Sequence, residues 1–324
     1  MNPVFSVVMP VYNVEDYVAE AICSVLDQSY PNFELLIIDD GGSDSSLDIC
    51  RLFKDERIRI ISQENRGLAG ARNTGIRHAR GEFVAFLDSD DIWMDRKLEI
   101  HLAQFNQCPS LGVAYAPSRL IDENGAPIGV VQRPKIDDVA AKDVFLRNPI
   151  GNGSAPVIRR TVLDEIEFDG GDGEAWWFDE TFRQSEDIEC WMRIALTTNW
   201  GFGGVEDILT SYRVSNGGLS AQLTQQFATW RRMTEKVREL DQEFYARWGR
   251  VSEAFQRRYL ARRAIQMRQP KKAMELALRA LICDFAILIR EPKKTLTTLG
   301  AAFAINALPR GAYEKLETMM IAKI

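Results

Sequence analysis

Four apolar runs of strand length, residues 5–9, 33–38, 58–62 and 83–87, alternate with helical patterns through the first hundred residues. Such alternation dictates a mostly parallel sheet with helices on both faces, because parallel neighbours need a crossover between them. Asn13 is expected to cap the first helix, with Asp16 near its N-terminus and Val14, Tyr17, Val18, Ala21, Ile22, Val25 and Leu26 on one apolar face. Ser43 or Asp44 is expected to start the second helix, and residues 68–79 form the third. Ligands of such sheets sit beyond the carboxyl ends of the strands. The polar clusters fall there: Pro10-Val11-Tyr12-Asn13, Asp39-Asp40 and Asp88-Ser89-Asp90-Asp91. One cleft would gather all three.

The remainder reads differently. Residues 110–220 are less regular, with short strands expected at 113–116 and 128–132, a Gly151-Asn152-Gly153-Ser154 loop and an acidic, aromatic stretch over 164–187. From about residue 222 the pattern is helical and rich in Arg, Ala and Leu. Charge follows the same division. Residues 1–221 hold 20 Lys and Arg against 36 Asp and Glu, a net of −16, whereas residues 222–324 hold 20 against 10, a net of +10. The expectation is an α/β domain over 1–221 and a basic helical extension over 222–324.

Composition removes several classes of function. There are only two histidines, His78 and His101, and neither falls within a motif, which disfavours a His-ligated zinc hydrolase or a Ser-His-Asp enzyme. Five scattered cysteines without a CxxC pair read as reduced thiols in the cytoplasm. The first apolar run meets Pro10 and lacks a basic leader, so it reads as a buried strand and not a signal peptide. No run of about 20 apolar residues suggests a transmembrane helix. Neither G-x-G-x-x-G after the first strand nor G-x-x-x-x-G-K-[ST] occurs, which disfavours a dinucleotide fold and a P-loop NTPase.

The strongest chemical signal is Phe86-Leu87-Asp88-Ser89-Asp90-Asp91, three carboxylates within four residues at a strand end. Crowded like charges are costly to bury. Mg2+ or Mn2+ resolves the conflict, taking one or two carboxylates and completing its shell with phosphate oxygens and water. The local alternative is a solvated acidic turn in which Asp91 caps the next helix.

At this point a resemblance becomes dense. Ser6-Val7-Val8-Met9-Pro10-Val11-Tyr12-Asn13, the run from Phe33-Glu34-Leu35 to Asp39-Asp40-Gly41, and the run from Asn65-Arg66-Gly67 to Ala71-Arg72-Asn73 resemble the inverting family 2 glycosyltransferases of bacterial polysaccharide type. Phe86-Leu87-Asp88-Ser89-Asp90-Asp91 is similar to the DXD motif of that family. The likeness is close over residues 4–100, patchier over 150–221 and faint beyond. It implies a GT-A fold, a nucleotide-sugar donor and a Mn2+ or Mg2+ cofactor. By the same resemblance Pro10 and Tyr12 would flank the nucleobase and Asp40 would accept a hydrogen bond from it. A carboxylate suits the imide N–H of uracil, which cytosine lacks. Asp88 would lie near the ribose or metal, Asp90 would ligate the metal, and Arg72 and Arg213 would border the donor. Gly42 departs from the family pattern, which often has Ser there.

Ser185-Glu186-Asp187-Ile188-Glu189-Cys190-Trp191-Met192-Arg193 reads as the start of a short helix with acids at its positive end. The resemblance makes Asp187 the general base, with Glu186 as the substitute candidate. In Tyr212-Arg213-Val214-Ser215, Ser215 stands where many relatives have a metal-touching His, and a hydroxyl is a poorer ligand. Arg213 remains available to phosphates or to a structural role.

The expected activity is metal-dependent sugar transfer from a nucleotide sugar to a glycan or lipid-linked acceptor. The rivals are a sugar-1-phosphate nucleotidyltransferase, which should carry a Gly-rich basic loop after the first strand, and a non-catalytic nucleotide-sugar-binding protein. The basic C-terminal helices, with the apolar stretch 295–308, suggest peripheral contact with an anionic membrane on its cytosolic face. No nucleic-acid-binding module is recognisable, and no nucleic-acid partner is expected.

Overall fold

The computed structural model describes residues 2–171, 173–214 and 223–308. They divide into two units, one of residues up to 144 with 148–214, the other of 145–147 with 223–308.

The first unit begins with β1 (Phe5–Val11), α1 (Val18–Leu26), β2 (Phe33–Asp39), α2 (Ser46–Leu52), β3 (Ile58–Ser62), α3 (Gly67–His78) and β4 (Phe83–Phe86). It continues with β5 (Ile92–Trp93), α4 (Lys97–Gln107), β6 (Leu111–Tyr115), β7 (Ser118–Ile121), β8 (Pro127–Gln132) and α5 (Ala141–Arg147), whose last residues belong to the other unit. Then come β9 (Val157–Arg159), α6 (Arg160–Ile166), β10 (Phe168–Asp169), β11 (Ala175–Trp176), α7 (Glu186–Thr197), β12 (Gly201–Gly204) and β13 (Thr210–Arg213).

The main sheet has the order β12-β6-β9-β4-β1-β2-β3. Every pairing in it is parallel except the two made by β9, so the mostly parallel sheet expected from the alternation is present. Phe5, Val7 and Met9 of β1 pack with Leu35 and Ile37 of β2 and with Ala21, Ile22 and Val25 of α1, all fully buried. β1 and β2 are buried along their whole length, which explains why they read as continuous apolar runs rather than alternating ones. Because β1, β2 and β4 run in one direction, the chain leaves them at one edge, and Tyr12, Asp40 and Asp88 emerge there. A second sheet, β5-β13-β7-β8, brings Arg213 beside the turn that follows β4.

Two helix starts differ from expectation. Asn13 does not cap α1: it holds a left-handed φ of 51°, and its Oδ1 accepts from the Ser43 N–H at 2.8 Å. A turn closed by Tyr17 N–H to Val14 C=O comes first, so α1 begins at Val18. Helix α2 begins at Ser46 with Ser45 as its N-cap residue, because the Asp44 carboxylate is engaged by the Ser46 and Glu15 N–H groups in the turn before it. Asp91 caps no helix either, since the residues after it enter β5.

The second unit is helical throughout its described length: α8 (Leu223–Leu240), α9 (Gln242–Gln266), α10 (Pro270–Cys283), α11 (Ile287–Arg290) and α12 (Pro292–Ala307). Asp241 caps α9 by accepting from the Phe244 N–H at 2.8 Å, and proline opens both α10 and α12, where a missing N–H costs nothing. Small side chains let these helices approach closely. Ala261, Ala264, Ala273, Ala277 and Ala302 share one core with Leu260 and Leu276.

Candidate active site

Beyond the carboxyl end of β4, the acidic turn is held from three directions. The Asp88 N–H donates to Ser154 Oγ at 2.9 Å, and that hydroxyl donates to Asp91 Oδ2 at 2.6 Å. The Arg213 N–H donates to Asp91 Oδ1 at 2.8 Å, and Arg213 Nε to the Asp90 carbonyl at 2.7 Å. Asp91 is thus a buried brace of the turn, and burial, with the charges of Asp90 and Asp88, drives its carboxyl well above the usual range. Asp90 faces the site half-buried, and burial followed by the Asp88 charge pushes it up to about 6.

Arg72, in the middle of α3, is buried beside this turn. Its Nη2 donates to Asp88 Oδ1 at 2.8 Å, its Nη1 to Glu186 Oε1 at 3.2 Å, and it lies over the Phe178 ring at 5.5 Å. Gly153 fits the same arrangement. A Cβ there would stand 2.2 Å from Arg72 Nη2 and 2.6 Å from Asp88 Oδ2, so only glycine admits the ion pair.

The acid pair sits at the N-terminus of α7, where Ser185 adopts a left-handed φ of 64° and turns the chain into the helix. Glu186 is buried, and burial with the Asp187 charge pushes it up to about 7 against the pull of Arg72. Asp187 is half-buried, accepts the Ile188 N–H at 2.7 Å and is also raised, burial being the larger cause. Glu186 is paired with Arg72, and Asp187 is the more open of the two.

At the ends of β1 and β2, Pro10 is buried in strand register opposite Ile38, and Tyr12 is 51% exposed. Asp40 is buried, and its carboxylate accepts from Gln63 Nε2 at 2.6 Å, the Arg66 N–H at 2.8 Å and the Gly67 N–H at 2.9 Å. A carboxylate has about four acceptor positions, so one remains for a further donor. The glycine at position 42 has a steric counterpart: a Cβ there would come within 3.1 Å of both Asn13 N and Oδ1.

The guanidinium of Arg213 has many partners. Besides Asp90 it donates to the Asp122 and Glu123 carbonyls and to Glu20, and it lies over the Tyr17 ring at 4.6 Å. It therefore clamps the turn after β4 to the loop after β7. Ser215 lies outside the described residues.

The donor set suits a hard divalent ion. Burial and the Asp88 charge raise Asp90, which a cation would relieve, and Mg2+ or Mn2+ needs only one or two carboxylates. Among the described residues no group of three or more His, Cys, Asp or Glu side chains has metal-holding geometry.

Sequence reasoning missed Ser154, although it had noted the loop that carries it, and missed Lys97. Lys97 is fully buried in α4, and its ammonium donates to the Ala155 carbonyl at 2.8 Å, one residue from Ser154, and lies 3.4 Å from Thr210 Oγ1. Lys97 and His101 share the buried face of α4 with Leu98 and Phe105, and neither residue type signals burial locally.

Comparison with known proteins shows the family and the fold. Residues 6–166 match the sequence model of Glycosyl transferase family 2. The Escherichia coli UDP-Glc:alpha-D-GlcNAc-diphosphoundecaprenol beta-1,3-glucosyltransferase WfgD is 34% identical over 218 residues, covering 67% of this chain and 79% of that protein. Two solved structures share the GT-A fold at 19% identity. S. aureus TarS 1-349 in complex with UDP-GlcNAc has a TM-score of 0.56 and covers 94% of this chain and 81% of that one. The mannosyltransferase PcManGT from Pyrobaculum calidifontis, in complex with GDP-Man and Mn2+, has a TM-score of 0.59 and covers 94% of this chain and 86% of that one.

Proposed function

Because this chain belongs to Glycosyl transferase family 2 and is a glycosyltransferase, we propose that it moves a sugar from a uridine nucleotide sugar to a hydroxyl of a glycan or lipid-linked acceptor, with inversion at the anomeric carbon. The observation that carries the proposal is the Arg72 bridge, which joins the acidic strand end at Asp88 to the acid pair at Glu186 and Asp187. A donor diphosphate at the strand ends and a base at the head of α7 would then flank one anomeric centre.

In this reading Tyr12 and Pro10 border the base, Asp40 offers its remaining acceptor position to the uracil N3–H, and Asp88, Arg72 and Arg213 border the ribose and diphosphate. Asp90, assisted by Asp88, would hold Mn2+ or Mg2+, which when bound supplies positive charge opposite the leaving diphosphate. Asp187 takes the proton of the acceptor hydroxyl, and that oxygen attacks the anomeric carbon opposite the departing nucleoside diphosphate. The raised carboxyl of Asp187 suits a base that works near neutrality. Glu186, neutralised by Arg72, keeps the neighbouring charge low.

WfgD is named for transfer to a diphosphoundecaprenol-linked sugar. That name and the +10 charge of residues 222–324 support an acceptor presented at an anionic membrane on its cytosolic face. No described helix is long and apolar enough to cross a membrane, so the contact proposed is peripheral. The catalytic domain proposed is 1–221, and the membrane-seeking extension 222–324.

A thermal-shift series of nucleotide sugars with and without Mn2+ tests the donor reading. At about 100 times its dissociation constant a ligand raises stability by about 2.7 kcal/mol. UDP-sugars should give that shift with Mn2+. A larger shift with GDP-sugars would replace the nucleoside assignment.

A further inference from the structure

The C-terminal unit leaves several of its largest apolar side chains outside its own cores. Ile282 at the end of α10 is 77% exposed, Phe285 in the connection 68% and Ile289 in α11 81%, so all three lie at the corner where the two helices meet. Leu278, one helical turn before Ile282, is exposed as well. Helix α12 repeats the pattern. Its Thr295, Thr298, Ala302 and Ala304 face inward, while Leu296 and Phe303 lie outward with Gly300 between them against open space. Leu299 and Ile305 pack partly on the core, yet Leu296 and Phe303 remain exposed, so large apolar side chains stand on both faces of the helix.

The charges beside this surface are net positive: over residues 270–307 six Lys and Arg stand against Glu275, Asp284 and Glu291, and Glu275 is paired with Arg279 and Lys272. Asp284 lies 3.6 Å from Arg290 Nε, and Glu291 is paired with Arg258 and Arg147. Helix α12 contains no Asp or Glu. Arg279, Arg290, Lys293 and Lys294 are exposed around the apolar side chains. An isologous contact between two copies would set this basic rim against itself, which disfavours a symmetric dimer. An anionic bilayer complements it.

We propose that the α10–α11 corner, with the outer stripe of α12, is the membrane-docking face of this protein. Ile282, Phe285 and Ile289 enter the boundary between headgroups and acyl chains, and the flanking Lys and Arg side chains reach the lipid phosphates. The inference rests on the membrane partner proposed above and names its contact surface. It also relocates that contact: of the 295–308 stretch only a few large side chains point outward, and the most exposed ones lie upstream at the corner.

The test is co-sedimentation of the full chain with phosphatidylglycerol–phosphatidylcholine vesicles, with phosphatidylcholine vesicles as the comparison. The wild type should pellet with the anionic vesicles at low salt and leave them at high salt. A variant combining Ile282→Ser, Phe285→Ser and Ile289→Ser should lose about tenfold or more in partitioning, with unchanged melting temperature and donor binding. Lys293→Gln with Lys294→Gln should weaken binding and flatten its salt dependence. If the wild type binds anionic vesicles and the triple-serine variant binds equally well, the docking face is wrong and the membrane partner stands. If the wild type binds no vesicle, the membrane partner itself falls and the face with it. A wild-type dimer in sedimentation velocity that the triple-serine variant dissociates would make this face an interface between copies and overturn the proposal.

Discussion

The guanidinium of Arg72 lies between two carboxylates, 2.8 Å from Asp88 and 3.2 Å from Glu186, and is itself buried. One cation thus couples the strand-end turn to the head of α7, whose Glu186 lies 114 positions from Arg72 in the chain. Removing it leaves two carboxylates without their counter-charge. Arg72→Met should lower stability by about 3–5 kcal/mol, the usual cost of breaking a buried pair from one side. Urea unfolding measures this. Arg72→Lys should rescue only part, because a single ammonium cannot span both carboxylates as the fork does.

Asp90→Asn should abolish transfer and remove the Mn2+-dependent part of nucleotide binding while the melting temperature of the free protein holds or rises. The rise follows from relief of a carboxylate that burial and Asp88 already push up to about 6. Calorimetric titration of UDP with and without Mn2+ reads the first effect. Wild-type turnover in this variant would remove Asp90 from the metal site.

The acid pair should separate by role. Asp187→Asn should retain donor and Mn2+ binding and lose about 10²–10⁴-fold in transfer, the range of general-base catalysis. Glu186→Gln should keep more activity and hold or raise stability, since burial pushes Glu186 up to about 7 despite Arg72 and an amide oxygen can still accept from that guanidinium. The reverse ranking of the two turnover numbers would make Glu186 the base.

UDP should bind more tightly than CDP. Cytosine presents an acceptor at N3 to the last open acceptor position of Asp40, leaving that one position desolvated and unpaired at a cost of about 1–3 kcal/mol. Competition by the two nucleotides against one labelled donor checks this, and equal affinities would free Asp40 from base recognition.

Lys97 should make stability depend on pH. Burial pushes its ammonium from 10.5 down to about 7. Between those values the unfolded chain binds a proton that the folded chain does not, so its contribution to stability is full above the ordinary lysine range and falls as pH drops toward 7. The slope approaches about 1.4 kcal/mol per pH unit for one proton. Urea melts of the wild type and Lys97→Met across this window should show the slope in the first and its loss in the second.

Much of the site was legible because it lies where short-range patterns end. The apolar runs of β1, β2 and β4 fixed which residues leave the sheet, and parallel order then put Tyr12, Asp40 and Asp88 at one edge. Glu186 and Asp187 were equally legible as acids at the start of an amphipathic helix. The helix starts were less so. Asn13 and Asp44 carry capping side chains, yet both serve the loops that join β1 and β2 to their helices, where tertiary hydrogen bonds outcompete local capping.

Periodicity and charge crowding determined by themselves the sheet, its working edge, the acidic turn and the division between an acidic and a basic part. Both are local properties of the chain, so a single sequence carries them. Tertiary structure alone decided which polar groups pair with which. Arg72 with Glu186, Ser154 with Asp91, and Arg213 with Asp90 and Glu20 join residues 63 to 193 positions apart. Nothing in the spacing of a polar residue states its distant partner; burial makes the partner obligatory, and only the packed fold brings it within reach.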